Sequence, residues 1–168
     1  MPTQTRWDAE TDLLVFGSGA GGLAASLFGA KKGLRVLLCE KASQLGGTTA
    51  TSGGILWIPG SAQARAAGIA DSSDLAEAYL HHELGNHYRA DLARAFLDSA
   101  PIALAELERG TAMEFDLSAS PDYHPELEGG LAKGRSVAWR RGDSMAGGSA
   151  PISPSCARRS RPCWCLAA

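Results

Sequence analysis

Three glycines, at positions 17, 19 and 22, have the most specific chemical meaning in this sequence. Their spacing is GxGxxG, in which the first glycine makes a tight turn, the second lets backbone approach a pyrophosphate, and the third allows close packing of a helix on a strand. Ala20 and Gly21 complete the turn. The spacing predicts a dinucleotide-binding turn formed by these five residues.

Glu40 follows Gly17 by 23 residues, at the end of an apolar run. An acid at this distance accepts hydrogen bonds from both hydroxyls of an adenosine ribose, and it disfavours a 2′-phosphate. The same residues leave a second interpretation open. The glycines would then only permit tight packing, and Glu40 would be a solvated acid at a strand end.

The elements that must position these residues form one strand–helix–strand unit. Residues 13–16 predict a strand buried on both faces, and residues 35–40 predict a second one. Between them, residues 20–32 predict a helix with Leu23, Leu27 and Ala30 on one face, ended by Gly33. We expect a parallel pair with a right-handed crossover in an α/β fold.

The remaining chain predicts a loop followed by helices. A loop is expected over 46–60, followed by a helix over 71–85 that opens with the capping pattern Asp71-Ser72-Ser73-Asp74 and has Leu75, Tyr79 and His82 facing together. Further along, we expect a helix over 90–109 interrupted at Pro101, a short strand within 113–117 and a long loop over 118–136. The three histidines at 81, 82 and 87 are expected at the surface, and His124 is expected to be solvated.

A change in composition near Ser136 predicts a domain boundary. We expect residues 1–136 to form the amino-terminal part of one domain, because residues 137–168 show no helical or strand period. Two interpretations of this tail stay open. It is either a flexible basic segment or a stretch foreign to the fold, produced by a shifted reading frame or a truncation.

Composition restricts the class of partner. Sixteen Lys and Arg against 18 Asp and Glu give a formal net charge of −2, so nucleic acid is not expected as a partner. No apolar run approaches a membrane span, and the polar amino terminus has no signal pattern, so a cytoplasmic protein with a small-molecule substrate is expected. Cys163 and Cys165 lack a second ligand pair, and no metal site is predicted.

A second glycine-rich segment extends the pattern beyond Glu40. It reads Gly46-Gly47-Thr48-Thr49-Ala50-Thr51-Ser52-Gly53-Gly54. With it, the chain resembles the FAD-dependent oxidoreductases of the fumarate reductase, succinate dehydrogenase and 3-ketosteroid dehydrogenase superfamily. The resemblance covers residues 12 to about 136 and implies a Rossmann-like FAD-binding domain, incomplete relative to the family. The further FAD-binding residues that it implies are Lys41, Gly47, Thr48, Thr49, Ser52, Gly53 and Gly54. A solvent-exposed Gly/Thr linker is the alternative for this segment.

The stretch "TSGGILWIPG" and the stretch "SPDYHPELEGGLAKGRSV" are most similar to the 3-ketosteroid dehydrogenase branch. This resemblance implies an oxidoreductase that transfers hydride from a carbon beside a ketone to FAD. Its substrate would be a hydrophobic ketone such as a steroid, with Tyr123 lining the cavity as the candidate catalytic residue. Tyr123 as a packed loop anchor is the alternative.

Two other functions stay open at this point. One is reduction of an unsaturated dicarboxylate such as fumarate, which needs a pair of clamping arginines that the sequence before the tail does not offer. The other is a non-catalytic nucleotide-binding remnant. Because family members continue into a substrate-capping domain and a return segment, we expect no turnover by this segment alone.

Overall fold

The computed structural model describes residues 9–140 and the backbone of a strand at 164–167. It divides the chain into two compact units, one comprising residues 1–52 and 145–168 and the other residues 53–144. The elements in chain order are β1 Leu13–Phe16, α1 Ala20–Lys31, β2 Val36–Glu40, a 3₁₀ turn Gly47–Thr51, β3 Ile55–Trp57, α2 Ala62–Ala66, α3 Ser73–Leu84, a 3₁₀ turn Gly85–His87, α4 Ala90–Gly110, β4 Phe115–Leu117, β5 Ser136–Trp139 and β6 Trp164–Ala167. No helix in this part of the chain is long and apolar enough to cross a membrane.

The first unit contains the expected strand–helix–strand arrangement. Strand β1 pairs with β2 in parallel, from Leu13 opposite Val36 to Phe16 opposite Cys39. Strand β6 pairs with β2 in antiparallel register, giving the order β1-β2-β6. The predicted α/β class is therefore confirmed. The tail over 137–168, for which the sequence predicted no element, contains β6 and also residues 137–139 of β5, of which Val137 is fully buried.

Helix α1 approaches the sheet through small residues, which differs from the predicted apolar face. An added Cβ at Gly29 would lie 2.7 Å from Leu13 Cδ2, and one at Gly22 would lie 3.4 Å from Val15 Cγ1. Leu23 is instead 41% exposed. The predicted face was wrong at Leu23 because close helix–strand packing favours the side of the helix without bulky side chains.

Strand β1 also differs from the expectation of burial on both faces. Its residues alternate between half-buried and exposed, with Leu14 48% and Phe16 77% exposed. Within the described residues, α1 covers one face of the strand. The other face, which carries Leu14 and Phe16, is exposed.

The second unit is built on an antiparallel sheet of order β3-β5-β4. Its core cluster comprises Ile58, Ala100, Leu104, Phe115 and Val137. The short strand predicted within 113–117 is present as β4. Strand β3 falls in the stretch expected to be a loop, because it directly follows the segment rich in glycine and threonine at 46–54, which is typical of a loop.

Helix α3 begins as its capping pattern predicts, since the Ser72 hydroxyl accepts a hydrogen bond from Leu75 N. The predicted face was only partly right, because Tyr79 is 4% exposed whereas Leu75 is 42% exposed. In place of Leu75, the buried neighbour of Tyr79 on this helix is Ala76.

Helix α4 is continuous through Pro101, so the predicted interruption was wrong. Proline removes one backbone hydrogen bond and strains the preceding turn. The buried face nevertheless continues on both sides of it, through Ala93, Leu97, Ala100 and Leu104. Packing of this face outweighs the local cost.

A buried ion cluster fixes the long loop over 118–135 to the rest of the second unit. Arg135, 1% exposed, donates to Asp71 Oδ1 from Nη2 at 2.8 Å and to Asp122 Oδ2 from Nη1 at 2.8 Å. Asp122 also accepts from Trp57 Nε1 at 2.7 Å and from Leu131 N at 2.9 Å. Each charged group therefore has hydrogen-bond partners that offset its removal from water.

Candidate dinucleotide-binding site

The turn between β1 and α1 has open space where its glycines lack side chains. Gly17 adopts a φ of 91°, in the left-handed region, and its amide donates to Cys39 O at 2.7 Å, which ties the turn to β2. Among the described residues, no atom beyond the neighbouring backbone lies within 4 Å of a Cβ built on Gly17, Gly19 or Gly21. A Cβ on Gly22 would lie 1.8 Å from Gly17 O, so the turn can close only with glycine there.

The amino end of α1 suits an anion. Gly19 is its N-cap and provides no side-chain hydrogen bond, and the first turn contains no acidic residue. The first amides of a helix have no partner within the helix and carry partial positive charge. Of these, Ala20 N donates to Thr49 Oγ1 at 3.0 Å. Because Gly17 N and Ser18 N donate to Cys39 O and Glu40 Oε2, an anion at this end would be bound by the amides of Gly19, Gly21 and Gly22.

Glu40 ends β2 with its carboxylate directed at this turn. Glu40 Oε2 accepts from Ser18 N at 2.8 Å and from Ser18 Oγ at 2.6 Å, while Oε1 accepts from Ala42 N at 2.9 Å. These bonds, from the Ala42 amide first and then from Ser18, lower the pKa of Glu40 to about 2 from its usual 4.5. The carboxylate is therefore ionised throughout the neutral range.

The second glycine segment crosses the first. Gly46 N donates to Ser18 Oγ at 2.8 Å, and a Cβ on Gly47 would lie 3.5 Å from Gly19 Cα. Together with the Thr49 contact to Ala20, this brings the two glycine-rich segments and Glu40 into one locus. The segment forms a 3₁₀ turn that contacts the first turn. Residues 47–53 are nevertheless exposed, so the solvent exposure that the linker alternative expects is present together with this contact.

The other predicted residues of this segment lie around the locus. Lys41 and Thr48 are exposed, and Ser52 Oγ donates to Thr49 O at 2.8 Å. Gly53 and Gly54 begin the second unit, where Gly54 O accepts from Trp139 N at 2.9 Å beside β3 and β5. Of the predicted residues, the structure therefore joins Glu40, Gly47 and Thr49 to the first turn.

Tyr123 lies in the long loop of the second unit, with 92% of its surface exposed. This exposure does not match the alternative in which its ring is a packed anchor. The backbone beside it is held, since His124 N donates to Tyr79 Oη at 3.4 Å. His124 Nδ1 lies 2.8 Å from Glu83 Oε2, which raises the pKa of His124. This histidine is paired rather than only solvated.

Ser18 is the residue of this site that the sequence analysis did not select. It is fully buried and contacts both Glu40 and Gly46. The GxGxxG pattern accepts any residue at this position, so only the small size and the hydroxyl of Ser18 could have indicated its role.

Two other kinds of site can be looked for among the described residues: a pair of arginines that binds a dicarboxylate, and a metal site. Each arginine between residues 9 and 140 contacts a carboxylate or a carbonyl oxygen, and the buried Arg135 is committed to Asp71 and Asp122. No arginine pair free to clamp a dicarboxylate occurs in that range. The described residues also contain no group of three side chains that could hold a metal ion. Cys163 and the side chain of Cys165 lie outside the described residues.

Comparison with known proteins identifies a family and several relatives. A family model described as "FAD binding domain" matches residues 12–158. The chain is 39% identical over 131 residues to a 3-oxosteroid 1-dehydrogenase of Rhodococcus opacus, covering 78% of this chain and 25% of the relative. It is 43% identical over 127 residues to a 4-oxocyclohex-2-ene-1-carboxylate 5-dehydrogenase of Sinomonas cyclohexanicum, covering 75% and 21%.

A solved structure shares the fold. It is the 3-ketosteroid delta1-dehydrogenase of Sterolibacterium denitrificans in complex with 1,4-androstadiene-3,17-dione, with a TM-score of 0.72 and 34% identity over 77% of this chain and 23% of that one. The chain thus spans a quarter or less of the length of these relatives.

Proposed function

The chain belongs to the FAD binding domain family, and we propose that it is the cofactor-binding portion of a flavin-dependent dehydrogenase that desaturates a ring ketone beside its carbonyl. The observation that carries this proposal is the convergence of the phosphate turn, Glu40 and the second glycine segment through Ser18. FAD, when bound, supplies the acceptor for the hydride that leaves the substrate carbon.

The residues present fit this cofactor. The open space at Gly17, Gly19 and Gly21 admits a diphosphate close to the amides of Gly19 and Gly21, and the absence of an acid in the first turn of α1 avoids repulsion of its charge. In this proposal the amides of Gly19, Gly21 and Gly22 would bind the diphosphate, and Thr48 and Thr49 would contribute hydroxyls to the same cofactor.

Glu40 would bind the adenosine ribose through its remaining acceptor capacity. A carboxylate has about four lone-pair positions, and among the described residues three hydrogen bonds already use Oε1 and Oε2. The position left, on Oε1, accommodates one strong bond from a ribose hydroxyl rather than the two that the sequence predicts. A 2′-phosphate would be repelled by the ionised carboxylate.

The substrate class rests on the relatives and on Tyr123. Two relatives are named for a ketone in a ring, one a steroid and one a cyclohexene carboxylate. A ring of this kind needs an apolar surface and a hydrogen-bond donor for its carbonyl oxygen. The exposed phenol of Tyr123 is available as such a donor. We therefore propose that Tyr123 donates this hydrogen bond to the substrate carbonyl. The role applies to a protein of the full length of the relatives.

The test of the cofactor site is a titration of the purified 168-residue chain with FAD, followed by flavin fluorescence. We expect saturable binding, weakened by about five- to a hundredfold in Glu40→Ala because a ribose hydroxyl loses a charged acceptor. Asp98→Ala is the matched control, since it removes an exposed acid on α4 in the second unit, and its affinity should equal that of the wild type.

The outcomes separate the open alternatives. If the chain binds FAD no more tightly than ADP, the flavin half contributes no affinity, and the chain would be a nucleotide-binding remnant. A chain that binds neither compound would contradict the assignment of this locus, and equal affinities of Glu40→Ala and wild type would remove Glu40 from it.

A further inference from the structure

Ser18 connects the three parts of the candidate site. Its amide and its hydroxyl both donate to Glu40 Oε2, at 2.8 and 2.6 Å. Its hydroxyl also accepts from Gly46 N at 2.8 Å. A hydroxyl has one proton and two lone pairs, so donation to Glu40 leaves it an acceptor towards Gly46, and both bonds form together.

The burial of Ser18 makes this arrangement specific. The residue has no exposed surface, so water does not replace a missing partner, and an unpaired buried group costs free energy. Gly46 has a φ of 104°, which fixes the start of the segment that carries Gly47 and Thr49 over the first turn. The Ser18 hydroxyl therefore fixes both the direction of the Glu40 carboxylate and the start of this segment.

We propose that Ser18 is a positioning residue that commits Glu40 Oε2 to the protein and thereby directs Oε1 to the ribose hydroxyls of the bound nucleotide. The inference deepens the proposed function and rests on it, because it presumes an adenine nucleotide at this locus. Ser18 itself contacts no ligand in this assignment. Its effect passes through Glu40 and Gly46.

Selectivity for the ribose distinguishes this role from a merely structural one. General loosening of the turn would weaken the binding of all adenine nucleotides alike. Misdirection of the Glu40 carboxylate would weaken the binding only of nucleotides that carry ribose hydroxyls. The measured quantity is therefore the ratio of the Kd of 2′,3′-dideoxy-ADP to the Kd of ADP, obtained by calorimetry with the full chain.

We expect the wild type to prefer ADP by about tenfold, as one charge-assisted hydrogen bond provides. In Ser18→Ala this ratio should fall to within about threefold of unity. Ser26→Ala is the matched control, because Ser26 Oγ donates to Gly22 O inside α1 at 2.8 Å and contacts neither Glu40 nor Gly46. It should retain the wild-type ratio.

A second variant guards against loss of folding in Ser18→Ala. Ser18→Cys is close to serine in size and has a weaker donor, so its ratio should lie between those of the wild type and Ser18→Ala. In the background of Glu40→Ala, removal of the Ser18 hydroxyl should change the ratio no further, since its effect acts through that carboxylate.

The outcomes keep the two proposals apart. A wild-type ratio retained in both Ser18 variants overturns the role of Ser18 and leaves the cofactor site intact. A wild-type chain that binds neither nucleotide overturns the proposed function, and this inference with it.

Discussion

Gly21 and Gly22 are adjacent residues under opposite constraints. A Cβ on Gly22 would lie 1.8 Å from the carbonyl oxygen of Gly17, whereas one on Gly21 would have no described atom beyond its neighbouring backbone within 4 Å. We expect Gly22→Ala to abolish cooperative unfolding of the first unit or to lower its stability severely, because the obstructing atom is backbone and cannot rotate away.

Gly21→Ala is the control for that experiment. Alanine is favoured over glycine in a helix by up to about 1 kcal/mol, so this variant should be as stable as the wild type or more stable. Urea unfolding of the ligand-free chains gives the comparison. Equal stability of the two variants would contradict the close contact between Gly22 and Gly17.

The ionisation of Glu40 predicts a dependence of stability on pH. Its pKa in the folded chain is about 2, below the usual 4.5. Its contribution is therefore complete above about pH 4.5 and is lost as the pH falls through the folded value. We expect the difference in unfolding free energy between wild type and Glu40→Gln to be constant at neutral pH and to shrink between pH 4.5 and 2.

Other acids titrate in the same range, so the comparison with Glu40→Gln is essential. Asp12 also has a pKa near 2, through its hydrogen bonds with Arg35, and it is present in both chains. A difference that grows towards low pH would have the opposite sign and would contradict the assigned contacts.

At the scale of elements, α3 shows how one hydroxyl sets a helix start. Ser72 Oγ accepts from Leu75 N at 3.1 Å, and the helix begins at Ser73. We expect Ser72→Ala to lower the unfolding free energy by about 1 kcal/mol, the usual cost of losing an N-cap. Ser73→Ala is the control, because that residue is already helical, and urea unfolding should show a change near zero.

At the scale of the whole molecule, the second unit depends on Arg135, which contacts aspartates 64 and 13 residues away in sequence. Arg135→Met leaves Asp71 and Asp122 as buried charges without a cation, so we expect a loss of about 3–5 kcal/mol. Hydrogen exchange of the Val137 amide in the core of this unit measures it.

Arg140→Met is the matched control for that loss. Arg140 also contacts two acids, Asp116 and Glu114, but its side chain is 54% exposed. Solvent screens such pairs, so exchange at Val137 should stay close to the wild type. A similar effect of both variants would mean that the buried cluster contributes no more than a surface pair.

The local part of the site could be predicted from sequence. The glycine spacing, the apolar runs and the capping pattern each act within a few residues, and the strand, turn, helix and second strand appear within one residue of their expected ends. Strand β3 and the continuity of α4 could not be predicted, because β3 directly follows a segment rich in glycine and threonine that is typical of a loop, and Pro101 is tolerated only through packing by residues distant in sequence.

The sequence by itself determined the strand–turn–helix–strand unit, the bare amides at its turn and an acid after the second strand, because these depend on local backbone preferences and on glycine. Only the tertiary structure decided that Ser18 connects Glu40 to Gly46, that the glycine segments cross, and that Arg135 holds the long loop. Those contacts join residues 13 to 64 positions apart, and no spacing rule relates them until the chain folds.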